Sequence, residues 1–296
     1  MNGGRMREKK KWMMAAAAAV GAVTGRICYE CRHFTTEYYD VTSDKIPEAF
    51  EGFRFVVMTD LHNYDFDHGN RKLLAQIEHL KPDAVMIAGD MIDAHPGADM
   101  SVAIRMMRML CDRWPVYFGN GNHEQRIELY PETYGDMNER WCKAIRHPNL
   151  HLLRNQHLNI CKDGEEICVY GLELNRKYYK RFRKVPMTRH YMTEKLGICD
   201  RNRFNLLLAH NPFYFDEYAK WGADLVLSGH VHGGVVILPF LGGVLSPQVR
   251  LFPKYYAGEY FRDSSEMILS RGLHMHSFRI RLLNMPELSC VTLRRS

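Results

Sequence analysis

The chain alternates short apolar runs with amphipathic segments between about residues 53 and 294. FRFVVMT (53–59) and DAVMIAGD (83–90) are rich in branched apolar residues, which is typical of buried strands. Between them, NRKLLAQIEHL (70–80) repeats its apolar residues at helical spacing, and Pro82 ends that pattern. This order of segments predicts an α/β protein.

The same alternation continues through the second half of the chain. Further helices are predicted near residues 106–110 and 213–221, and further strands at PVYFGN, EICVYGLE, FNLLLAH and ADLVLSGH. The later segments EMILS and LSCVTLR follow each other without a helix between them. A parallel pair needs a long crossover, so the second half is predicted to contain mixed or antiparallel pairing.

Composition adds little about partners. A chain of 296 residues with 46% hydrophobic content can bury the core of one large domain. The net charge of +6 is modest and is concentrated in part at the two ends, so no nucleic-acid partner is predicted. One internal segment, RKYYKRFRK (176–184), combines six basic with three aromatic residues. It is either a solvated surface or a contact for anionic lipid headgroups or a phosphate-rich substrate.

The N-terminal segment has the order of an export signal. Three lysines at 9–11 precede WMMAAAAAVGAVTG (12–25), which carries no charge. The uncharged run of 14 residues is shorter than the about 20 that span a bilayer. Residues 1–27 are therefore predicted to be a signal or membrane anchor. The remainder would lie outside the cytoplasm, anchored at the cell membrane or exported.

Polar side chains with ligand chemistry stand at the carboxyl ends of five predicted strands, where open α/β sheets bind ligands. One such residue is usually a cap, but five sets in order are hard to explain in that way. The candidates, in chain order, are Asp60, His62, Asp90, Asn122, His123, His210, His230 and His232.

These residue types indicate a metal centre. Imidazole suits zinc and iron, whereas carboxylate and amide oxygens suit harder ions such as manganese. Two ions about 4 Å apart can share a hydroxide and hold a phosphoryl group during in-line displacement. His230 and His232 project to the same side of an extended segment, so they can reach two neighbouring ions, and Gly229, Gly233 and Gly234 leave room beside them.

The motifs DLH, GD, GNHE, AHNP and GHVHGG, in this order, resemble the signature blocks of calcineurin-like metallophosphoesterases. More narrowly, LAHNPFYF, LSGHVHGG and LFPKYYAGEY resemble the YkuE/YaeI-type bacterial membrane-associated phosphoesterases. The resemblance implies a catalytic domain at 45–296 with a four-layer αββα sandwich of two mixed β-sheets flanked by helices. It also implies a hydrolase that acts on phosphomonoesters or phosphodiesters through attack of a metal-bridging hydroxide.

The resemblance also implies roles for matching positions. Asp60, His62, Asp90 and His232 would hold the first of two divalent ions, which could be manganese, iron or zinc. Asn122, His210 and His230 would hold the second ion together with Asp90, which would bridge the pair. His123 would face the phosphate as an electrostatic stabiliser or general acid. Val235 departs from the pattern, since relatives commonly carry glutamine there.

Two other functions are compatible with these residues. The centre could hydrolyse a bond other than a phosphate ester, or the chain could be a metal-binding scaffold without activity. The membrane signal and the basic segment favour a lipid-linked or nucleotide-linked phosphate ester as substrate. His274 and His276 repeat the spacing of the last two ligands but follow no matching carboxylate, so we expect them outside the metal centre.

Overall fold

The computed structural model describes residues 2–275 and 280–296. Its helices are α1 (Asn2–Glu30), α2 (Arg71–Leu80), α3 (Ser101–Cys111), α4 (Asn122–Leu129), α5 (Pro131–Tyr134), α6 (Met137–Ile145), α7 (Tyr191–Leu196) and α8 (Phe215–Trp221). Its strands are β1 (Thr35–Ser43), β2 (Arg54–Met58), β3 (Ala84–Ile87), β4 (Val116–Gly119), β5 (Leu150–Leu153), β6 (Gln156–Lys162), β7 (Glu165–Leu172), β8 (Asn205–Ala209), β9 (Leu225–Ser228), β10 (Ile237–Leu238), β11 (Gly242–Gly243), β12 (Gly258–Arg262), β13 (Ser265–Leu269) and β14 (Glu287–Arg295).

The strands form two large mixed sheets and one short hairpin. The first sheet has the order β1-β14-β2-β3-β4-β5, and the second has the order β12-β13-β9-β8-β7-β6. Strands β2 to β5 run parallel, as do β7, β8, β9 and β13, while β14 runs antiparallel to β2. The predicted change to mixed pairing in the second half is therefore confirmed.

Alternate residues of a strand point to opposite faces of its sheet, and this produces the layers of the fold. Phe55 and Val57 of β2 pack between the two sheets, whereas Val56 and Met58 face α2, α3 and α6. In the second sheet, Leu207 packs on the opposite face from its neighbours in β8, against α7 and α8. Because both faces of these strands are covered, the strands are apolar throughout rather than alternating. The predicted four-layer αββα sandwich is confirmed.

The first sheet begins earlier in the chain than residue 45. Strand β1 pairs in parallel with β14 along its full length, from Thr35 with Glu287 to Ser43 with Arg295. The strand TTEYYDVTS is largely polar and only partly buried, as expected at a sheet edge, so its sequence carries little strand signal. Its partner lies about 250 positions away, which local pattern cannot reveal.

The N-terminal apolar segment is part of one long helix. Residues Arg7–Glu30 of α1 are long and apolar enough to cross a membrane by length and composition, and they are exposed except for the partly buried Ile27 and the buried Glu30. A signal sequence would meet the same description. The helix ends four residues before β1 begins, so only a short connection separates it from the first sheet.

Candidate metal centre

The predicted ligands meet at the carboxyl edges of the two sheets. Strands β2, β3 and β4 of the first sheet lead into Asp60 and His62, Asp90, and Asn122. Strands β8 and β9 of the second sheet lead into the three remaining histidines, His210, His230 and His232. The centre therefore lies between the sheets, and neither sheet supplies a complete set of ligands.

The first group of side chains contains Asp60, His62 and His232. One ligand atom of each lies within 4.8 Å of the others, and all three residues are buried. The Nε2 atoms of the two imidazoles lie 3.7 Å and 3.8 Å from Asp60 Oδ1. This spacing leaves room for an ion between them, because metal bonds to imidazole and carboxylate are about 2 Å long.

The second group contains Asp90, His210 and His230, again within 4.8 Å of one another. Asp90 Oδ1 accepts a hydrogen bond from the His123 backbone N–H at 2.8 Å. Its Oδ2 lies 3.0 Å from His210 Nε2 and 4.0 Å from His62 Nε2. Oδ2 is therefore the Asp90 oxygen that faces both groups.

Asn122 and His123 begin α4 and reach the same region. Asn122 Oδ1 is buried and, among the described residues, accepts no hydrogen bond. A buried acceptor without a donor is costly, and a cation would satisfy it. His123 Nε2 lies 3.9 Å from Asp90 Oδ2, while His123 Nδ1 accepts a hydrogen bond from the Ala94 N–H at 2.8 Å. The donor set fits two divalent ions that accept mixed nitrogen and oxygen ligands.

The charges of the centre are strongly coupled. Burial opposes ionisation of Asp90, but His210 and His123 outweigh it and lower the carboxyl pKa. Burial likewise opposes protonation of His210, but Asp90 and Asp60 raise its pKa to about 9. Without metal, the protonated form of His210 is therefore favoured beside the carboxylates of Asp90 and Asp60. Divalent cations would provide that charge in its place.

Backbone carbonyl groups orient two of the histidine rings. His210 Nδ1 donates a hydrogen bond to the Ala88 carbonyl at 2.7 Å, and His62 Nδ1 donates one to the Ile92 carbonyl at 3.2 Å. In both rings the nitrogen that faces the centre is therefore Nε2. Such contacts fix the tautomer and orientation of a metal-binding imidazole.

Five of the predicted ligands have a left-handed backbone. The φ angles are 54° for Asp60, 47° for His62, 56° for Asp90, 72° for His230 and 52° for His232. Each left-handed residue costs about 1–2 kcal/mol, although Asp, Asn and His tolerate this region better than most side chains. The conformation turns the chain sharply at the strand ends, so the prediction that His230 and His232 lie on an extended segment was wrong. The folded scaffold stores strain at this centre.

Two glycines allow the carboxylates to come close to the backbone. A Cβ atom on Gly121 would overlap the Asp90 carboxylate, and one on Gly229 would overlap that of Asp60. These two glycines are therefore required for space.

Glu124 organises the loops that carry the ligands, a role that the sequence did not predict. Its buried carboxylate accepts hydrogen bonds from the backbone N–H groups of Asp90, Met91, Ile92 and Gly121 at 2.8–3.2 Å. Burial and the Asp90 charge raise the pKa of Glu124 to about 7. The sequence feature that could have identified Glu124 is its position as the last residue of the GNHE motif.

The basic segment contributes two side chains beside the centre. The ring of Tyr179 lies 5.2 Å from that of His230, and Arg176 Nη1 donates to the Asn122 carbonyl at 3.2 Å. The Arg176 guanidinium also lies 5.7 Å from the Tyr179 ring centroid. The sequence left open whether this segment is a solvated surface or a contact for anionic groups. Its pattern did not distinguish Arg176 and Tyr179 from exposed neighbours such as Lys177 and Lys180.

His274 lies close to the centre without joining either ligand group. It stacks on Tyr64 with ring centroids 3.8 Å apart, and its backbone N–H donates to the Asp60 carbonyl at 2.7 Å. This agrees with the expectation that it stands outside the metal centre. His276 lies outside the described residues.

Comparison with known proteins shows which family shares this sequence. The family model for calcineurin-like phosphoesterases matches residues 53–234, which include every predicted ligand. The Bacillus subtilis metallophosphoesterase YkuE is 27% identical over 95% of this chain and 95% of its own length. The Escherichia coli phosphodiesterase YaeI is 20% identical over 97% of this chain and its full length.

A third relative is longer than this chain. The Caenorhabditis elegans protein F40B5.2, named as a metallophosphoesterase, is 28% identical over 75% of this chain. The match spans 44% of the length of that relative.

Proposed function

The chain belongs to the calcineurin-like phosphoesterase family, and we propose that it hydrolyses phosphate esters with two divalent metal ions. The observation that carries this proposal is the pair of buried ligand groups joined by Asp90. A single ion would leave one group of clustered carboxylate and imidazole atoms without a charge partner.

The proposed first ion is held by Asp60, His62 and His232, and the second by Asn122, His210 and His230. Asp90 Oδ2 would be shared, since Oδ1 already accepts the His123 N–H. Manganese, iron and zinc all suit this mixed set of donors. When bound, two such ions offset charge on phosphoryl oxygens and make water acidic enough to act as a nucleophile.

His123 would contact the phosphate directly. Because its Nδ1 accepts the Ala94 N–H, the neutral ring carries its proton at Nε2, which faces the ligand groups. Burial lowers the pKa of His123, so the ring is neutral at pH 7. These contacts support a role as a hydrogen-bond donor that stabilises charge on the phosphoryl oxygens.

Arg176 and Tyr179 are proposed to bind the substrate beside the second ion. Burial and the Asp90 charge raise the pKa of the Tyr179 hydroxyl, so it stays protonated and can donate a hydrogen bond. The Arg176 guanidinium offers a permanent positive charge next to Asn122. Tyr179 as a hydrogen-bond donor and Arg176 as a cation would lie outside the two metal ions. This arrangement suits a phosphodiester, because its second substituent must also be bound. A lipid-linked or nucleotide-linked diester is the proposed substrate class.

Metal analysis together with a substrate panel tests this function. The purified protein is expected to contain two divalent ions per chain and to hydrolyse bis(4-nitrophenyl) phosphate and 4-nitrophenyl phosphate, with the diester preferred. Chelation should remove both activities, and return of manganese or zinc should restore them. Hydrolysis of carboxylic esters without phosphate hydrolysis would favour a different hydrolase. Two bound ions without activity on any ester would favour a binding protein.

We further propose that residues 1–27 direct the protein to the membrane and that the remainder is the catalytic unit. The basic flank followed by the apolar part of α1 supports this division. The full chain should fractionate with membranes or appear outside the cell, whereas a chain that lacks residues 1–27 should stay inside the cell with a much smaller membrane-bound fraction. Immunoblotting of separated fractions measures this. Full-length protein in the soluble cytoplasm would contradict the proposal.

A further inference from the structure

A cluster of exposed apolar side chains lies on the two segments that leave the metal centre. We call these residues the apolar rim: Phe182, Phe240, Leu241, Leu251 and Phe252, of which Phe240 is fully exposed and Phe182 is 78% exposed. A soluble surface seldom groups several large apolar side chains unless they contact something.

Backbone hydrogen bonds connect the segments that carry the rim. The Phe182 N–H donates to the Gln248 carbonyl at 2.9 Å, and the Phe252 N–H donates to the Val244 carbonyl at 2.9 Å. Phe240 and Leu241 occupy the turn between β10 and β11, in the same stretch of chain. The loop at 180–184 and the segment at 235–252 are therefore fastened to each other rather than independent.

The rim lies on two segments of chain that lead away from the metal centre. The segment at 235–252 begins directly after His232 and its glycines, and Phe182 follows Tyr179 by three residues. The ring of Tyr179 lies 5.2 Å from the ring of His230. Any surface that contacts the rim therefore lies close to the proposed substrate site.

The two stretches of chain that contain the rim carry basic residues and no acidic ones. Neither residues 174–193 nor residues 225–258 contain an aspartate or glutamate, whereas the first stretch contains seven lysines and arginines. The exposed cations include Lys180, Arg181 and Arg183. Lys184 is partly neutralised, since its amine lies 3.8 Å from Glu217 of α8. Apolar tips beside exposed cations match an anionic lipid interface.

The apolar helix is fixed next to the same surface. The buried Glu30 carboxylate, at the end of α1, accepts the N–H groups of Leu283 and Asn284 at 3.1 Å and 2.9 Å. Asn284 Nδ2 in turn donates to the carbonyls of His232 and Val235 at 2.7 Å and 3.2 Å. The end of α1 is thus connected by hydrogen bonds to the start of the segment that carries the rim.

We propose that the apolar rim and its neighbouring cations dock into the interface of a bilayer that contains anionic lipid, with the metal centre facing the headgroups. This goes beyond the proposed activity, because docking does not require turnover. A second copy of the chain fits less well. A two-fold interface would place the same cations opposite each other, and like charges across an interface are unfavourable.

A single added tryptophan tests the docking in the full chain. Trp12 of α1 is first changed by Trp12→Phe, so that the helix does not contribute to the signal. Phe240→Trp then reports on the rim, and Ile198→Trp is the control. Ile198 is 89% exposed in the loop before β8, at the end of that strand opposite His210. Both variants are reconstituted into phosphatidylcholine vesicles with brominated acyl chains, with and without phosphatidylglycerol.

In vesicles with phosphatidylglycerol, the added emission of Phe240→Trp should be quenched, while that of Ile198→Trp should persist. Adding Arg181→Glu and Arg183→Glu should reduce this quenching, whereas the matched pair Arg140→Glu and Lys143→Glu on α6 should not. Equal quenching of the two tryptophans would overturn the proposal. A concentration-dependent shift of the Phe240→Trp emission in detergent without lipid would assign the rim to a second copy and also overturn it. No substrate is used, so a failure of the proposed activity would not affect the result.

Discussion

Asp90→Ala is expected to abolish hydrolysis and to prevent occupancy by two metal ions. Asp90 Oδ2 is the carboxylate oxygen that faces both groups of imidazoles. Alanine leaves no neighbouring atom that could bridge the ions, and it also removes the acceptor of the His123 N–H. We expect kcat/KM to fall by about three orders of magnitude or more, equivalent to about 4 kcal/mol. Metal content per chain and diester hydrolysis measure the two effects.

Asp224→Ala is the matched control for this variant. Asp224 is also a buried carboxylate, but it pairs with Lys45 at 2.7 Å and precedes β9 at the strand end far from the metal centre. Its loss should reduce stability while both ions and most of the activity remain. Two ions per chain and intact turnover in Asp90→Ala would show that the bridging role has been assigned to the wrong residue.

His123→Asn should retain both metal ions and the fold while turnover falls by about 10²- to 10³-fold, the usual effect of losing one donor to a developing oxyanion. The ring lies beside the ligand groups, and its proton-bearing Nε2 faces them. Since the neutral ring donates a hydrogen bond rather than a proton, the loss should be similar for nitrophenyl and alkyl leaving groups. Steady-state kinetics on a series of diesters, with metal analysis, measures this.

His95→Asn provides the control. The Asp93 carboxylate lies 3.4 Å from His123 Nδ1 and 2.9 Å from Nδ1 of His95, which is exposed. This substitution should leave turnover nearly unchanged. A loss in His123→Asn that grows as the leaving group becomes less acidic would instead identify His123 as a general acid. Loss of a metal ion in that variant would place His123 among the ligands.

The structure brings the predicted ligands together, and the sequence could indicate this because each one lies within four residues of the end of a buried strand. Apolar runs locate the strands, and parallel strands bring their carboxyl ends to one edge, so residues from Asp60 to His232 could be gathered without coordinates. The structure adds which atom of each side chain faces the centre. Asp90, for example, presents one oxygen rather than two, because a backbone N–H in α4 occupies the other.

Other features could not be predicted, because they depend on contacts between distant parts of the chain. Strand β1 is held by β14, and Tyr39 of β1 donates a hydrogen bond to Glu287 of β14 at 3.0 Å. Arg176 and Tyr179 resemble their exposed neighbours in sequence and differ only in what the fold places beside them. The link from Glu30 to His232 through Asn284 has no sequence signature at all.

The left-handed backbone at the predicted ligands restricts which substitutions this centre can accept. A substitution at Asp60, His62 or His232 must supply a ligand atom and also tolerate positive φ. Asparagine meets both conditions, whereas valine and isoleucine meet neither. Few amino acids are therefore acceptable at these positions. A change of metal preference is more easily reached by exchange among Asp, Asn and His than by introducing another type of side chain.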